Sequence, residues 1–323
     1  MAIDGRLFQS AARLMSLPLV VLAAGLSTRY GGLKQLDPLG PDGEAIMDYN
    51  IYDAARAGFS RIIMVTRPEI EDDIKAHLSA IVGGTLPIDY VQQSLDQLPE
   101  GFHTPPDRAR PWGTAHAVLC AADFTDGPFA VCNADDLYGP GAFTTLHAHL
   151  SSDQQAQAPG GALVGYTLAD TLSGSGGVSR GVCVLSKDGL LSHVDETQNV
   201  RLVNGYITGQ SLDGNHLELS RDSTVSMNLW GFTQSTIDHM RTQFHNFLEY
   251  HASDTSREFL LSTAVNGQIQ TGSTSMHVLH AEDKWFGVTH ASDKDQAQTM
   301  LLKKIDQGVY HRPLADGFAP LVT

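Results

Sequence analysis

The first half of the chain alternates two hydrophobic patterns. Leu17 to Ala23, Arg61 to Thr66, Ile88 to Gln92 and Phe129 to Cys132 are short runs dominated by apolar residues, the length of buried strands. Between them lie segments with helical spacing and helical punctuation. Asp48 to Gly58 ends on glycine; Pro68 to Val82 has a proline near its first turn and Glu69, Glu71, Asp72 and Asp73 where the helix dipole favours acids; Thr114 to Ala122 is a third. The alternation predicts an α/β fold with a Rossmann-like mixed, mostly parallel sheet flanked by helices. Such sheets bind ligands beyond the carboxyl ends of their strands, so the loops after these runs are where chemistry is expected.

After about residue 155 the texture shortens. Gly174 to Gly177, Asp188-Gly189, Asn204-Gly205 and Asp213-Gly214 are turn signals that predict hairpins, and Thr224 to Phe232 reads as a further strand, so the second half is expected to form an antiparallel extension. Helices are predicted over Ser235 to Tyr250, Ser256 to Asn266 and Ser292 to Gln307. No internal repeat or linker interrupts the chain.

Charge narrows the ligand classes. A formal net charge of -15 over 323 residues argues against a surface built for nucleic-acid backbones or anionic membranes, both of which need clustered Lys and Arg. A polyanionic ligand must then meet a local basic site. Cys120, Cys132 and Cys183 are odd in number and widely spaced, which suggests neither a disulfide framework nor a zinc site and fits a reducing cytoplasm. Arg6 and Arg13 precede the apolar run Leu17 to Ala24 in the manner of a signal peptide, but its direct passage into a Gly turn favours a strand.

One loop meets the requirement for a local basic site. The strand Leu19 to Ala23 runs into Ala24-Gly25-Leu26-Ser27-Thr28-Arg29-Tyr30-Gly31-Gly32-Leu33-Lys34. Such a loop can aim backbone N–H groups at phosphate oxygens while Arg29 and Lys34 neutralise charge developing on a leaving pyrophosphate. It matches neither the P-loop nor the dinucleotide fingerprint. Farther on, Pro111-Trp112-Gly113-Thr114-Ala115-His116-Ala117-Val118 opens a helix. Asn133-Ala134-Asp135-Asp136-Leu137-Tyr138-Gly139 follows a strand, where a carboxylate suits a hard cation such as Mg2+.

In this order the three segments resemble the nucleotidyltransferase superfamily that includes the sugar-1-phosphate nucleotidyltransferases, and in particular a bacterial branch whose substrates are mostly unassigned. The resemblance implies transfer of a nucleoside monophosphate from a nucleoside triphosphate to a sugar 1-phosphate or cyclitol phosphate, with Mg2+ and release of pyrophosphate. By the same resemblance Arg29, Lys34 and Asp135 are catalytic, and Ala23, Ala24, Gly25, Ser27, Thr28, Gln93, Gly113 and Thr114 bind the nucleotide, with Gln92 a competitor for the role of Gln93. Arg180, Glu196 and Asn228 face the acceptor. Asp135 holds the metal with Asp283, or with Asp136. Two departures stand out: Ser27 replaces a family glycine, as in molybdopterin nucleotidyltransferases, and the lysine expected near Glu196 is absent, leaving Arg180 or Arg201 to supply its charge.

The expected organisation is an N-terminal extension over 1–14, a nucleotide-binding core over 15–155, and 156–323 as the acceptor-binding remainder of the same catalytic domain. Expected partners are a nucleoside triphosphate and a small phosphorylated acceptor, not nucleic acid or membrane; homo-oligomerisation is compatible with the sequence, and the location expected is the cytoplasm. Two other readings are open: a cytidylyltransferase for an alcohol phosphate or molybdopterin-type acceptor, and a non-catalytic nucleotide sensor.

Overall fold

The computed structural model describes residues 17–25, 34–152, 160–174, 176–288 and 293–322. Four parallel strands organise it: β1 (Pro18–Leu22), β2 (Arg61–Thr66), β3 (Ile88–Gln92) and β4 (Phe129–Asn133), in the spatial order β3-β2-β1-β4. Helix α1 (Ile46–Ala57) connects β1 to β2, α2 (Glu71–Val82) connects β2 to β3, and α3 (Thr114–Ala122) precedes β4. The chain thus steps outward from β1 to β3 and then crosses back to lay β4 on the other side of β1. That reversal opens a crevice between the carboxyl ends of β1 and β4, the place where open α/β sheets bind ligands.

Both faces of this sheet are covered, which explains the unbroken apolar runs. Leu19, Val21, Ile62 and Met64 pack in one core with α1 and α2, while Val20, Ile63, Val65 and Val131 pack in a second with α3. The second half extends the same sheet. β11 (Thr224–Phe232) runs antiparallel to β4 through Trp230↔Val131 and, at its other end, to β7 (Val178–Leu185) through Val225↔Val182. Its opposite edge carries β6 (Gly160–Thr167), which in turn pairs in parallel with β12 (Ser275–His280). From β7 the sheet continues as a meander through β8 (Leu191–Val203), β9 (Tyr206–Ser211) and β10 (His216–Leu219). The β8–β9 turn is the Asn204-Gly205 pair, both at positive φ (50° and 88°), as a tight two-residue hairpin turn requires.

A small ladder joins β5 (Asp136–Leu137) to β13 (Phe286–Gly287). Helices α4 (Pro140–Leu150), α5 (Gln234–His251), α6 (Leu261–Gln270), α7 (Lys294–Asp306) and α8 (Ala315–Phe318) complete the elements used below. No described helix is long and apolar enough to cross a membrane. The fold class is the one expected from the sequence. One helix differs: α6 begins at Leu261 rather than Ser256, because the Phe259 N–H donates to the Trp112 carbonyl (2.6 Å) and the Ala115 N–H to the Phe259 carbonyl (3.1 Å). Those two bonds hold the backbone around Phe259 extended against the start of α3.

Candidate active site

Backbone bonds tie the carboxyl end of β1 to both neighbouring strands: the Ala134 N–H, just after β4, donates to the Leu22 carbonyl (3.1 Å), and the Ala23 N–H donates to the Val65 carbonyl of β2 (2.8 Å). β1 leaves the sheet through buried Ala23 and Ala24 into exposed Gly25. The far end of the expected phosphate loop returns to the same point, since the Gln35 amide donates to the Gly25 carbonyl (2.9 Å). This closure sets Lys34 beside β4, where its ammonium pairs with the Asp135 carboxylate. Ser27, Thr28 and Arg29 lie outside the described residues.

Asp136 is fixed from several sides. Its carboxylate accepts from the Asn133 amide (2.8 Å), its carbonyl accepts from the Asn50 amide on α1 (2.6 Å), and its backbone pairs with Gly287. Burial, and then the neighbouring Asp135 charge, raise its carboxyl well above the ordinary carboxylate range. A neighbouring cation favours ionisation of such a group.

Lys34, Asp135 and Asp136 line a cleft of about 410 Å³ whose opposite side is built by the second half of the chain. Arg180, Glu196 and Asn228 all reach it, as does Thr114, whose hydroxyl accepts from the Leu261 N–H (3.0 Å). Arg180 is buried on β7; it donates to the Thr171 hydroxyl (3.1 Å), the Thr171 carbonyl and the Ser179 carbonyl (2.7 Å). Its guanidinium lies 4.8 Å from the centre of the Trp285 ring. Burial lowers its pKa to about 10, so it stays cationic at neutral pH. Those three bonds leave two of its five N–H donors. Arg201, the other candidate for the missing lysine's charge, is exposed on β8 and does not line the cleft.

Glu196 accepts a bond from the Ser262 hydroxyl. Asn228 sits at the centre of a bulge: between Ser226 and Trp230 the β11–β6 register shifts, and Asn228 adopts φ 62°. The bulge turns the Asn228 amide out of the ladder toward the cleft, with its oxygen accepting from the Trp230 indole N–H (3.3 Å).

Of the described nucleotide candidates Thr114 lines the cleft, whereas Ala23, Ala24, Gly25, Gln93 and Gly113 do not. The Gln93 amide donates to the Gly113 carbonyl (2.9 Å) and to Nδ1 of His116 (3.2 Å). Gln92 interacts with Glu71 instead. Burial lowers the His116 pKa to about 4; the neutral ring accepts from Gln93 at Nδ1 and donates from Nε2 to the Gln97 carbonyl (2.9 Å). Gly113 is at φ 111°, and a Cβ there would stand 2.4 Å from the Phe259 carbonyl oxygen. Its glycine is therefore required by the close approach of the Phe259 backbone.

Asp283 is placed differently from the expectation that it pairs with Asp135. Its carboxylate accepts from the Ala142 N–H (3.2 Å) and packs against Gly139 and Gly141. The first turn of α4, with Gly139-Pro140-Gly141, has no capping side chain of its own, and its free N–H groups need an acceptor. Asp283 supplies it and does not line the cleft, so the carboxylate next to Asp135 is Asp136. Asn50, Asn133, Tyr138 and Ser262 were not singled out from the sequence. Asn133 and Tyr138 flank the Asp135-Asp136 pair, whereas Asn50 lies within a helix and carries no local signal.

Residues 19–162 match the family model of the MobA-like NTP transferase domain. No curated protein matches the chain. Among solved structures, the inositol-1-phosphate CTP transferase from T. maritima is similar with a TM-score of 0.61 at 13% identity, covering 91% of this chain and 98% of that one. A putative glucose-1-phosphate thymidylyltransferase from Bacillus anthracis gives 0.58 at 12% identity, over 88% and 95%. A UDP-glucose pyrophosphorylase in complex with UDP-glucose gives 0.53 at 17% identity, over 90% and 100%.

Proposed function

We propose that this chain, whose residues 19–162 match the family model of the MobA-like NTP transferase domain, is a nucleotidyltransferase that transfers a nucleoside monophosphate from a nucleoside triphosphate to a sugar 1-phosphate or cyclitol phosphate. The observation that carries the reading is a single cleft in which Lys34, Asp135 and Asp136 face Arg180, Glu196 and Asn228. One side offers charge for phosphates. The other offers a carboxylate, an amide and one cation, a set suited to hydroxyl groups and a phosphate on one small molecule.

In the proposed reaction an acceptor phosphate oxygen attacks the α-phosphorus in line. The new O–P bond forms as the bond from the α-phosphorus to the bridging oxygen breaks, and pyrophosphate leaves with that electron pair. Positioning and charge carry most of such a step. Lys34 exchanges its partner Asp135 for the triphosphate, and Arg29 assists it. Gly25, Gln93, Gly113 and Thr114 seat the nucleoside; Glu196 and Asn228 orient the acceptor hydroxyls; Arg180 receives its phosphate with the two N–H groups left over. Asp135 and Asp136 fit Mg2+, which needs only one or two carboxylates when phosphates and water complete its shell, and the raised carboxyl of Asp136 is a group that gains from a cation beside it. When bound there, Mg2+ neutralises charge on the phosphate oxygens.

The name of the T. maritima neighbour puts inositol 1-phosphate in the acceptor panel beside glucose 1-phosphate. A second reading, a cytidylyltransferase for an alcohol phosphate or molybdopterin-type acceptor, draws support from the MobA-like domain match and belongs in the same panel. Nucleoside triphosphates are first screened by thermal shift with Mg2+, where one present at a hundred times its Kd stabilises by about 2.7 kcal/mol. The best is then assayed for pyrophosphate release. Release dependent on a sugar or cyclitol phosphate is expected. Triphosphate binding without release across the panel would replace the reading with that of a nucleotide sensor.

A further inference from the structure

β4 and β11 run as an antiparallel pair as far as Val131↔Trp230 and then separate, because β11 enters the bulge around Asn228. Two ladder groups are stranded where they part: the N–H of Asn133, last residue of β4, and the carbonyl of Met227, which belongs to the same peptide as the Asn228 N–H. A single hydroxyl serves both. Tyr138 OH accepts from the Asn133 N–H (3.0 Å) and donates to the Met227 carbonyl (2.8 Å). The ring is completely buried and packs edge-on to Phe143. Tyr138 also belongs to the Asp135-Asp136 turn by its backbone, its N–H donating to the Asn50 side chain (3.4 Å) while Asn50 donates to the Asp136 carbonyl (2.6 Å).

We propose that Tyr138 is the positioning residue that couples the Asp135-Asp136 turn to the acceptor side of the cleft, by fixing the peptide that aims Asn228. A separated ladder needs some partner for its two polar groups, since buried N–H and C=O groups are almost always hydrogen-bonded. Water would satisfy them and leave the bulge free to shift; a phenol on a rigid ring sets the distance between the strands. Displacement of the turn on which Asp135 sits is then transmitted to Asn228 through one side chain, and displacement of the bulge is transmitted back. The proposal rests on Asn228 as an acceptor contact for its kinetic consequence, but the mechanical coupling stands apart from the choice of substrate.

The test uses the full chain and the variant Tyr138→Phe, which keeps the ring and removes the bridge together with the longer contact of the hydroxyl to the Asp136 carboxylate (3.5 Å). Tyr166→Phe is the control, because that buried hydroxyl donates to the Tyr138 carbonyl (3.0 Å) without touching Asn133 or Met227. Hydrogen exchange by mass spectrometry on the unliganded protein is expected to accelerate about tenfold in peptides covering both 130–138 and 224–232 in Tyr138→Phe, with 61–66 unchanged, and not to do so in Tyr166→Phe. With glucose 1-phosphate or inositol 1-phosphate, whichever the wild type turns over, the acceptor KM of Tyr138→Phe is expected to rise about tenfold and the triphosphate KM to stay within twofold. Acceleration on one side only, a general acceleration across the chain, an equal effect of the control, or parallel shifts of both KM values would overturn the coupling. Joint acceleration in a protein that turns over neither acceptor would uphold it and count against the proposed substrates instead.

Discussion

Replacing Lys34 by alanine separates the catalytic reading from a structural one. Its ammonium pairs with Asp135, but the two side chains are 19% and 36% exposed, and partly solvated pairs of this kind contribute about 1 kcal/mol or less to stability. For a chain of this size that corresponds to a change in Tm of roughly 2–4 °C at most. The loss in turnover should be far larger. Removing one preorganised group aimed at charge that develops in the transition state costs about 10²–10³ in kcat, roughly 3–4 kcal/mol at 1.36 kcal/mol per tenfold. Pyrophosphate release at saturating substrates, beside a melting curve for each protein, tests both statements. Wild-type release from Lys34→Ala would refute the assignment of the loop as a triphosphate grip; a collapse of Tm by ten degrees or so would refute the claim that the ion pair is structurally minor.

Gly113→Ala should destabilise by roughly 1–3 kcal/mol from backbone strain alone, since φ 111° excludes a side chain and the new Cβ would press on the Phe259 carbonyl at 2.4 Å; a melting curve indistinguishable from wild type would show that this contact yields freely. Asp53 gives a pH prediction. Burial, opposed chiefly by the bond from Tyr310 OH (2.9 Å), pushes its carboxyl from 3.8 up to about 7, so between those values the folded protein retains a proton that the unfolded chain has released. Stability is then highest in acid as far as this group is concerned, falls as pH rises through that interval, and is flat above it, by on the order of 2–4 kcal/mol in total. Asp53→Asn should remove that component, and Tm curves of the two proteins that stay parallel between pH 4 and 8 would contradict the argument.

The parallel half of the fold was legible because each of its elements carries its own local signal. β1, β2, β3 and β4 are apolar runs bounded by turns, and α1 and α2 end on Gly58 and Gly83 in the left-handed conformation. The elements left unread lack such signals. α4 opens with Pro140-Gly141, which in isolation reads as a turn, and its N-terminal N–H groups are satisfied by Asp283 from far along the chain. The same contact accounts for the place of Asp283 away from the cleft, because an acid just before Trp285 looks alike in sequence whether it faces a ligand or a helix end. Likewise the helix expected from Ser256 is delayed to Leu261 by pairing with Trp112 and Ala115, more than a hundred residues earlier.

The site divides along the same line. Lys34 and Asp135 are brought together because each follows a strand of the parallel sheet, β1 and β4, and adjacent parallel strands deliver the chain that follows them to the same edge. The proposed acceptor side has no such rule. Arg180, Glu196 and Asn228 lie on three antiparallel strands, where alternation decides which face a residue takes and a bulge can reverse it. Asn228 reaches the cleft only because β11 breaks register between Ser226 and Trp230. What holds that break in place is the Tyr138 hydroxyl, on the turn that also carries Asp135, so the proposed acceptor side takes its geometry from the Lys34–Asp135 end of the cleft.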